Sequence, residues 1–142
     1  MTKGGGTKVA RDSDIWAHDS FEIFLCTEQE GFREAGVDQR TQYHQFIIDP
    51  DGSIWDSHKG DAGVNFNIDY RTRILKSPTR FWFEMSIPFS ELKCIPPGKG
   101  SEWYANFYWN HPRNGAHVGY TWAGSGGYSN TSRFGLIEFE DK

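Results

Sequence analysis

The sequence lacks long apolar runs, paired cysteine motifs and an excess of positive charge. No apolar run in the 142 residues approaches the roughly 20 that a membrane-spanning helix needs. Lys and Arg number 15 against 19 for Asp and Glu, giving a net charge of −4. Binding to a phosphate backbone requires many cations, so we expect neither nucleic acid nor membrane as a partner. The sequence has no C-x-x-C motif, and we expect Cys26 to pack as a small hydrophobe, with a disulfide to Cys94 as the alternative.

Signatures of common catalytic and metal sites are also missing. There is no G-x-S-x-G motif, and the five histidines show no H-E-x-x-H spacing. Glu22 and Glu84 each lie on the polar side of a predicted strand and could form the carboxylate pair of a glycosidase, although such residues are ordinary on half-solvated sheets. Asp49 and Asp51 leave a Ca²⁺ site open, but the turn that contains them explains them without a metal. We therefore expect a protein that is not an enzyme.

Aromatic residues are abundant, at 16% of the chain, and they recur in short runs with a period of two. Residues 80–87 place Phe81, Phe83, Met85 and Ile87 on one side, and residues 102–110 alternate in the same way. No helix of ten residues can be written, and the one helical indication is a single turn at residues 90–92. The pattern predicts an all-β protein, an antiparallel β-sandwich.

The predicted elements follow from the turn signals between these runs. Strands are predicted at residues 20–26, 43–49, 53–56, 63–68, 70–75, 80–87, 102–110, 117–122 and 134–140. The sequence D-P-D-G at residues 49–52 predicts a type I turn and a hairpin, and residues 27–41 are predicted to be a long loop. One shared core is predicted from strand phase; its members are Phe21, Ile23, Leu25, Phe83, Met85, Ile87, Trp103, Phe107 and Phe134.

The length suits one domain, with residues 1–13 as a flexible Gly-rich lead-in and residues 14–142 as the folded part. Two aromatic residues fall outside the core pattern. Trp16 precedes the first strand, and Tyr128 lies in a Gly/Ser-rich segment. Loop aromatics of this kind can stack on sugar rings, and the alternative is that both rings are tucked into the protein.

Five sequence blocks follow one another in an order that resembles a known family. Residues 14–25, D-I-W-A-H-D-S-F-E-I-F-L, resemble the W-x-x-D-S-x-E-I-F-L block of family 9 carbohydrate-binding modules and their DOMON-like relatives. Residues 43–56 resemble its Y-x-Q-F…N-P-x-G-x-x-x-D hairpin, and residues 83–89 its V-E-x-A-I-P-F strand. Residues 103–107 are similar to W-R-x-N-F, and residues 120–135 to its W-S…F-G ending.

The resemblance implies an immunoglobulin-like or DOMON-like sandwich that binds an oligosaccharide or polysaccharide without catalysis. It further implies an ancillary module of an exported protein, extracellular or periplasmic. In the family a sugar lies between two rings, which Trp16 and Tyr128 match here, and Glu22 matches an acidic contact. At the positions of the family's arginine and glutamine contacts this sequence has Ile47 and Tyr108, and we expect Tyr108 to be a sugar contact.

One departure from the family concerns the N-terminus. Family members begin with two or three further strands, so we expect this chain to correspond to the later portion of such a domain. Exposed sheet edges would then favour a homo-oligomer. Two alternatives remain open: a structural, self-assembling sandwich without a sugar site, and a haem-binding electron-transfer domain that uses a Met and a His. Met85, the residue that would serve there, lies in the core phase of its strand.

Overall fold

The computed structural model describes residues 10–59, 61–62, 67–124, 127 and 129–140. It contains nine strands within those residues: β1 Ser20–Cys26, β2 Tyr43–Ile48, β3 Ile54–His58, β4 Asp61–Ala62, β5 Arg71–Ser77, β6 Arg80–Ser86, β7 Glu102–Asn110, β8 Gly119–Thr121 and β9 Gly135–Glu138. Two α-helices, α1 Phe32–Ala35 and α2 Phe89–Leu92, and three 3-10 helices, Ile15–Ala17, Gln39–Thr41 and Thr131–Arg133, complete the described elements. No helix in this part of the chain is long and apolar enough to cross a membrane.

The strands form two layers, and every strand pair is antiparallel. The larger sheet has the order β4-β3-β2-β1-β7-β8. β9 also pairs with β7, along residues 102–105, whereas β8 pairs with residues 108–110. β5 and β6 form a separate hairpin that covers part of one face of the larger sheet. The predicted all-β class and sandwich architecture are confirmed, with a hairpin as the described second layer.

The main core lies between the hairpin and the larger sheet. Ile23, Phe46, Ile68, Leu92 and Trp103 are its buried members. Eight of the nine residues predicted for one core lie in it or pack against it. The prediction for Phe134 is wrong, because β9 begins only at Gly135 and its inward phase is carried by Ile137. Phe134 instead packs against Phe24 on the opposite face of the sheet, with ring centroids 5.5 Å apart.

The outer face of the larger sheet is covered by loops. Ser20, Glu22, Phe24 and Cys26 of β1 point to this face, and all four are buried. Cys26 belongs to the cluster around Phe24, whereas Cys94 packs against the main core on the other side. Both thiols are free, so the alternative of a disulfide between them is wrong.

Two predictions of local structure differ from what the structure shows. The segment 27–41, predicted to be a loop, contains a 3-10 helix and α1, and α1 is flanked by Gly31 and Gly36 in the left-handed region. The strand predicted at 63–68 falls mostly on residues 63–66, which lie outside the described residues, while Asn67 and Ile68 are not in a strand. The amide of Ile68 donates to a side-chain oxygen, Oδ2 of Asp56 in β3, at 3.1 Å rather than to a backbone carbonyl of a neighbouring strand.

The predicted D-P-D-G turn is confirmed as the connection between β2 and β3. The amide of Gly52 donates to the carbonyl of Asp49 at 3.1 Å. Oδ1 of Asp49 accepts hydrogen bonds from the amides of Asp51 and Ser53, so the side chain stabilises the same turn.

Candidate functional site

A pocket of about 300 Å³ opens on the outer face of the larger sheet, where β1, β2, β3 and β7 present their outward residues. Its lining combines aromatic, amide and carboxylate side chains: Trp16, Glu22, Tyr43, Gln45, Ile47, Trp55, Asn110, His117 and Ser129. The strand register explains this grouping. Glu22 lies opposite Ile47 in β2, and Ile47 lies opposite Trp55 in β3, so all three share one face.

The carboxylate of Glu22 forms the base of this pocket and is held by two amides. Its residue exposure is 3%. Nε2 of Gln45 donates to Oε2 of Glu22 at 2.8 Å, and Nδ2 of Asn110 donates to Oε1 at 2.6 Å. The amide nitrogen of Asn110 is also 3.1 Å from Oγ of Ser20. Each carboxylate oxygen therefore has one fixed donor and keeps further acceptor capacity.

The surroundings of Glu22 act on its pKa in opposing directions. Burial raises the pKa of Glu22, and this is the largest contribution. The hydrogen bonds from Asn110 and Gln45 and the proximity of His117 lower it by less, so the pKa stays above its usual value. The result is a carboxylate in a partly apolar setting whose charged form depends on hydrogen-bond donors.

An aromatic pair forms one wall of the pocket. Trp16 lies in the 3-10 helix Ile15–Ala17 and is 38% exposed. Its ring meets Trp55 edge to face, with centroids 5.6 Å apart and an interplanar angle of 79°. Ile15 is buried against Ile47 and Trp55, which fixes the short helix to the sheet. Trp16 thus presents part of its indole to solvent from a supported position.

The segment before Trp16 is attached to β3. Residues 10–13 belong to the expected lead-in, yet Nη2 of Arg11 lies 2.7 Å from Oδ2 of the fully buried Asp56 side chain. The amide of Asp12 donates to the carbonyl of Ile54 at 3.0 Å. Burial raises the pKa of Asp56, while the hydrogen bond from Arg11 opposes that change. These contacts hold the chain that leads into the aromatic wall.

Comparison with solved structures finds several matches to this fold, and two of them are described as follows. One is a family 9 carbohydrate-binding module from Caldicellulosiruptor kristjanssonii in complex with cellotriose, with a TM-score of 0.62, 19% sequence identity, and coverage of 96% of this chain and 65% of that one. The fold is that of a family 9 module. The other is a protein from Bacteroides uniformis to which carbohydrate binding is ascribed, with a TM-score of 0.61, 14% identity, and coverage of 94% and 66%.

These matches confirm the resemblance to family 9 modules at the level of the fold. The chain spans about two-thirds of the length of both matched proteins. No protein-family model matches the sequence, and no curated protein matches it either.

Within the family 9 fold, the structure brings together two of the four predicted sugar-binding residues, Trp16 and Glu22. Tyr108 lies opposite Glu22 in the register of β1 and β7 but is not among the described residues that line the pocket. It packs against the cluster around Phe24 and covers Gly119, where a Cβ atom would lie 1.7 Å from Oη of Tyr108. Tyr128 lies outside the described residues.

Several pocket residues were missed by the sequence reasoning. Gln45 and Asn110 are amides on predicted strands, and a buried amide requires a partner, which here is Glu22. For Gln45, the available signal was its place on the side of the predicted strand that faces away from the core. Trp55 and His117 carried no comparable signal, since Trp55 lay in a predicted hairpin strand and His117 at the start of the strand predicted at residues 117–122.

The other candidate sites from the sequence are not assembled. Glu84 is exposed on the outer side of β6, whereas Glu22 is on the far face of the larger sheet, so the core separates the two carboxylates. Oδ1 of Asp49 serves its turn, and Asp51 pairs with Lys76. Among the residues that the structure describes, no three His, Cys, Asp or Glu side chains are grouped to hold a metal ion.

Proposed function

We propose that this protein binds an oligosaccharide or polysaccharide, without catalysis, in the pocket formed by Trp16 and Glu22. One observation carries the proposal: a buried carboxylate, fixed by two amides, lies beside a half-exposed tryptophan. The family 9 fold supports it, because one matched module is described in complex with cellotriose.

The chemistry of a sugar suits these groups. The C–H-rich face of a pyranose packs on an indole, and its hydroxyl groups donate to a carboxylate. Gln45 keeps one amide hydrogen, and the carbonyl oxygens of Gln45 and Asn110 can accept further hydrogen bonds, whereas both amide hydrogens of Asn110 are used by Glu22 and Ser20. Hydrogen bonds to charged groups contribute about 1.5–3 kcal/mol each, and ordering costs offset much of that sum. We expect dissociation constants in the micromolar to millimolar range.

A second aromatic wall completes the proposal. Ser129 lines the pocket, and Tyr128 is its neighbour in the sequence. We propose that Tyr128 stacks on the sugar from the side opposite Trp16. Tyr108 contributes by packing beside Glu22.

The proposed setting is that of an ancillary module in an exported carbohydrate-active protein, extracellular or periplasmic. Its support is the fold shared with two proteins described as carbohydrate-binding. Affinity electrophoresis through gels that contain a soluble cellulose derivative or xylan tests the proposal. Retarded migration relative to a plain gel is expected for at least one polysaccharide, and unchanged migration of folded protein across a panel of polysaccharides would contradict it.

A second candidate function is self-association as a structural domain. It is favoured by the part of the larger sheet's core-side face that the β5–β6 hairpin leaves uncovered. Exposed aromatic side chains cluster there: Trp109, Tyr120 and Trp122. Trp109 also lines an apolar groove along β6, and β6 pairs only with β5 among the described strands. A second copy of the chain would cover both the rings and the strand edge.

A further inference from the structure

The negative charge of Glu22 has no lysine or arginine partner among the described residues that line the pocket. Its two hydrogen bonds come from the neutral amides of Gln45 and Asn110. The residues directly opposite it in the neighbouring strands are Ile47 and Tyr108, and neither carries a positive charge. No Lys or Arg lines the pocket within this part of the chain.

His117 is the one basic side chain among the described residues that line the pocket. Histidine holds its proton least firmly of the basic side chains, and the described hydrogen bonds of Glu22 do not include one from His117. The segment that carries Trp16 adds negative charge, since Asp14 and Asp19 flank it.

A buried carboxylate without a counterion is costly, because the charge loses its hydration and gains only neutral hydrogen bonds. A ligand that brings a positive charge removes this cost when it binds. A neutral hydroxyl removes less of it, and a carboxylate on the ligand adds repulsion. The pocket therefore discriminates by the charge of the sugar as well as by its shape.

We infer that the pocket prefers a glycan with a protonated amine, namely an unacetylated 2-amino sugar, over a neutral sugar, and that it rejects a uronic acid. The inference rests on the proposed function, that the pocket binds sugars at all. An ammonium group offers three donors, and two of them can meet the two acceptor positions that remain on the Glu22 carboxylate. Trp16 stacks on the ring of either kind of sugar.

Calorimetry with three disaccharides at about pH 6 tests the preference, because hydroxyl and acetal oxygens make a 2-amino sugar a weaker base than lysine and its amine is largely protonated only below neutral pH. The probes are β-1,4-linked diglucosamine, cellobiose and a diuronic acid. We expect diglucosamine to bind at least about tenfold more tightly than cellobiose, and the diuronic acid to show no measurable binding. Cellobiose binding as tight as diglucosamine would overturn the inference and leave the proposed function standing. Failure of all three to bind would overturn the inference, and the polysaccharide panel would then decide the proposed function separately.

Two matched variants locate the source of the preference. Glu22→Gln keeps the shape of the side chain and removes the charge, so diglucosamine should bind about as weakly as cellobiose. Glu84→Gln removes the same charge from the exposed outer side of β6 and should leave the preference unchanged. Equal loss in both variants would assign the effect to net charge and overturn the inference. If Glu22→Gln does not fold, the ranking of the three sugars by the wild-type protein decides.

Discussion

Nδ2 of Asn110 lies 2.6 Å from Oε1 of Glu22, and both side chains are buried between β1 and β7. The two residues are 88 positions apart in the chain. In the strand register Asn110 is opposite Ser20, so it reaches Glu22 diagonally. This contact fixes the carboxylate at the base of the pocket, and it depends on a donor rather than an acceptor at position 110.

Asn110→Asp should destabilise the protein because it replaces that donor with a second carboxylate. Two carboxylates at this distance cannot both ionise readily, so their pKa values in the folded state rise. The folded state then binds protons more tightly than the unfolded one, so the stability of this variant is greatest below the ordinary carboxyl pKa of about 4 and falls as the pH rises. We expect a loss of about 2–4 kcal/mol in the free energy of unfolding at pH 7, measured by urea denaturation.

Asn106→Asp is the control for that variant. Oδ1 of Asn106 accepts hydrogen bonds from Thr121 and from the amide of Ala123, and a carboxylate preserves both. We expect Asn106→Asp to lower the free energy of unfolding by less than Asn110→Asp. Losses of equal size in the two variants would contradict the role assigned to Asn110.

Arg11→Ala should destabilise the protein by leaving Asp56 buried without its cation. The Asp56 side chain is fully buried, whereas the Arg11 side chain is 36% exposed, so we expect about 2–3 kcal/mol from chemical denaturation. Arg40→Ala is the control, because the Arg40–Asp38 pair is exposed on both sides and such pairs contribute little. A difference between the variants of less than about 0.5 kcal/mol would show that the Arg11 contact is not stabilising.

The free energy of unfolding should decrease in acid, partly because His44 takes up a proton when the protein unfolds. Burial, followed by the proximity of His58, lowers the pKa of His44 to about 4. Nδ1 atoms of the two rings are 3.4 Å apart. An unfolded histidine titrates near 6.5, so the unfolded state binds more protons between these values. The stability contribution is complete above about pH 6.5 and is lost as the pH falls towards 4, by at most about 3 kcal/mol.

His44→Gln should therefore lose less stability than the wild-type protein between about pH 7 and pH 4.5. His18→Gln changes an exposed histidine and should follow the wild-type curve. Glu22 and Asp56, whose pKa values burial raises, act in the other direction but are common to all three proteins. Parallel curves for all three would refute the role assigned to His44.

The exposed aromatic side chains predict self-association of the isolated chain. Light scattering after size-exclusion chromatography at high micromolar concentration should give a mass above the 16.3 kDa of one chain. Trp82→Arg combined with Tyr120→Lys changes two exposed rings, 53% and 48% exposed, and should return the protein to a monomer. A stable wild-type monomer under these conditions would argue against the self-association proposal.

Strand positions could be predicted where residues alternate over a full strand. β1 and β7 begin and end at the predicted residues, because one face of each is apolar and the period fixes the phase. The helical turns within residues 27–41 could not be predicted in this way. They depend on contacts from outside the segment, such as the hydrogen bond from Nε2 of Gln39 to the carbonyl of Glu102.

The candidate site could be predicted only in part. Trp16 and Glu22 were identified from the sequence blocks, since both lie at the start of the domain around one strand. The amides that hold Glu22 come from positions 23 and 88 residues away. Which of them reaches the carboxylate depends on the register between strands, and periodicity within one strand does not determine that register.

Calorimetric titration of wild-type protein and Trp16→Ala with cellobiose, xylobiose and diglucosamine tests the sugar-binding pocket most directly. Trp82→Ala, which removes an exposed tryptophan from the hairpin on the opposite layer, serves as the matched control. We predict micromolar to millimolar binding of at least one sugar by wild type and Trp82→Ala, and no measurable binding by Trp16→Ala. Equal affinity of wild type and Trp16→Ala would contradict a sugar pocket at this position.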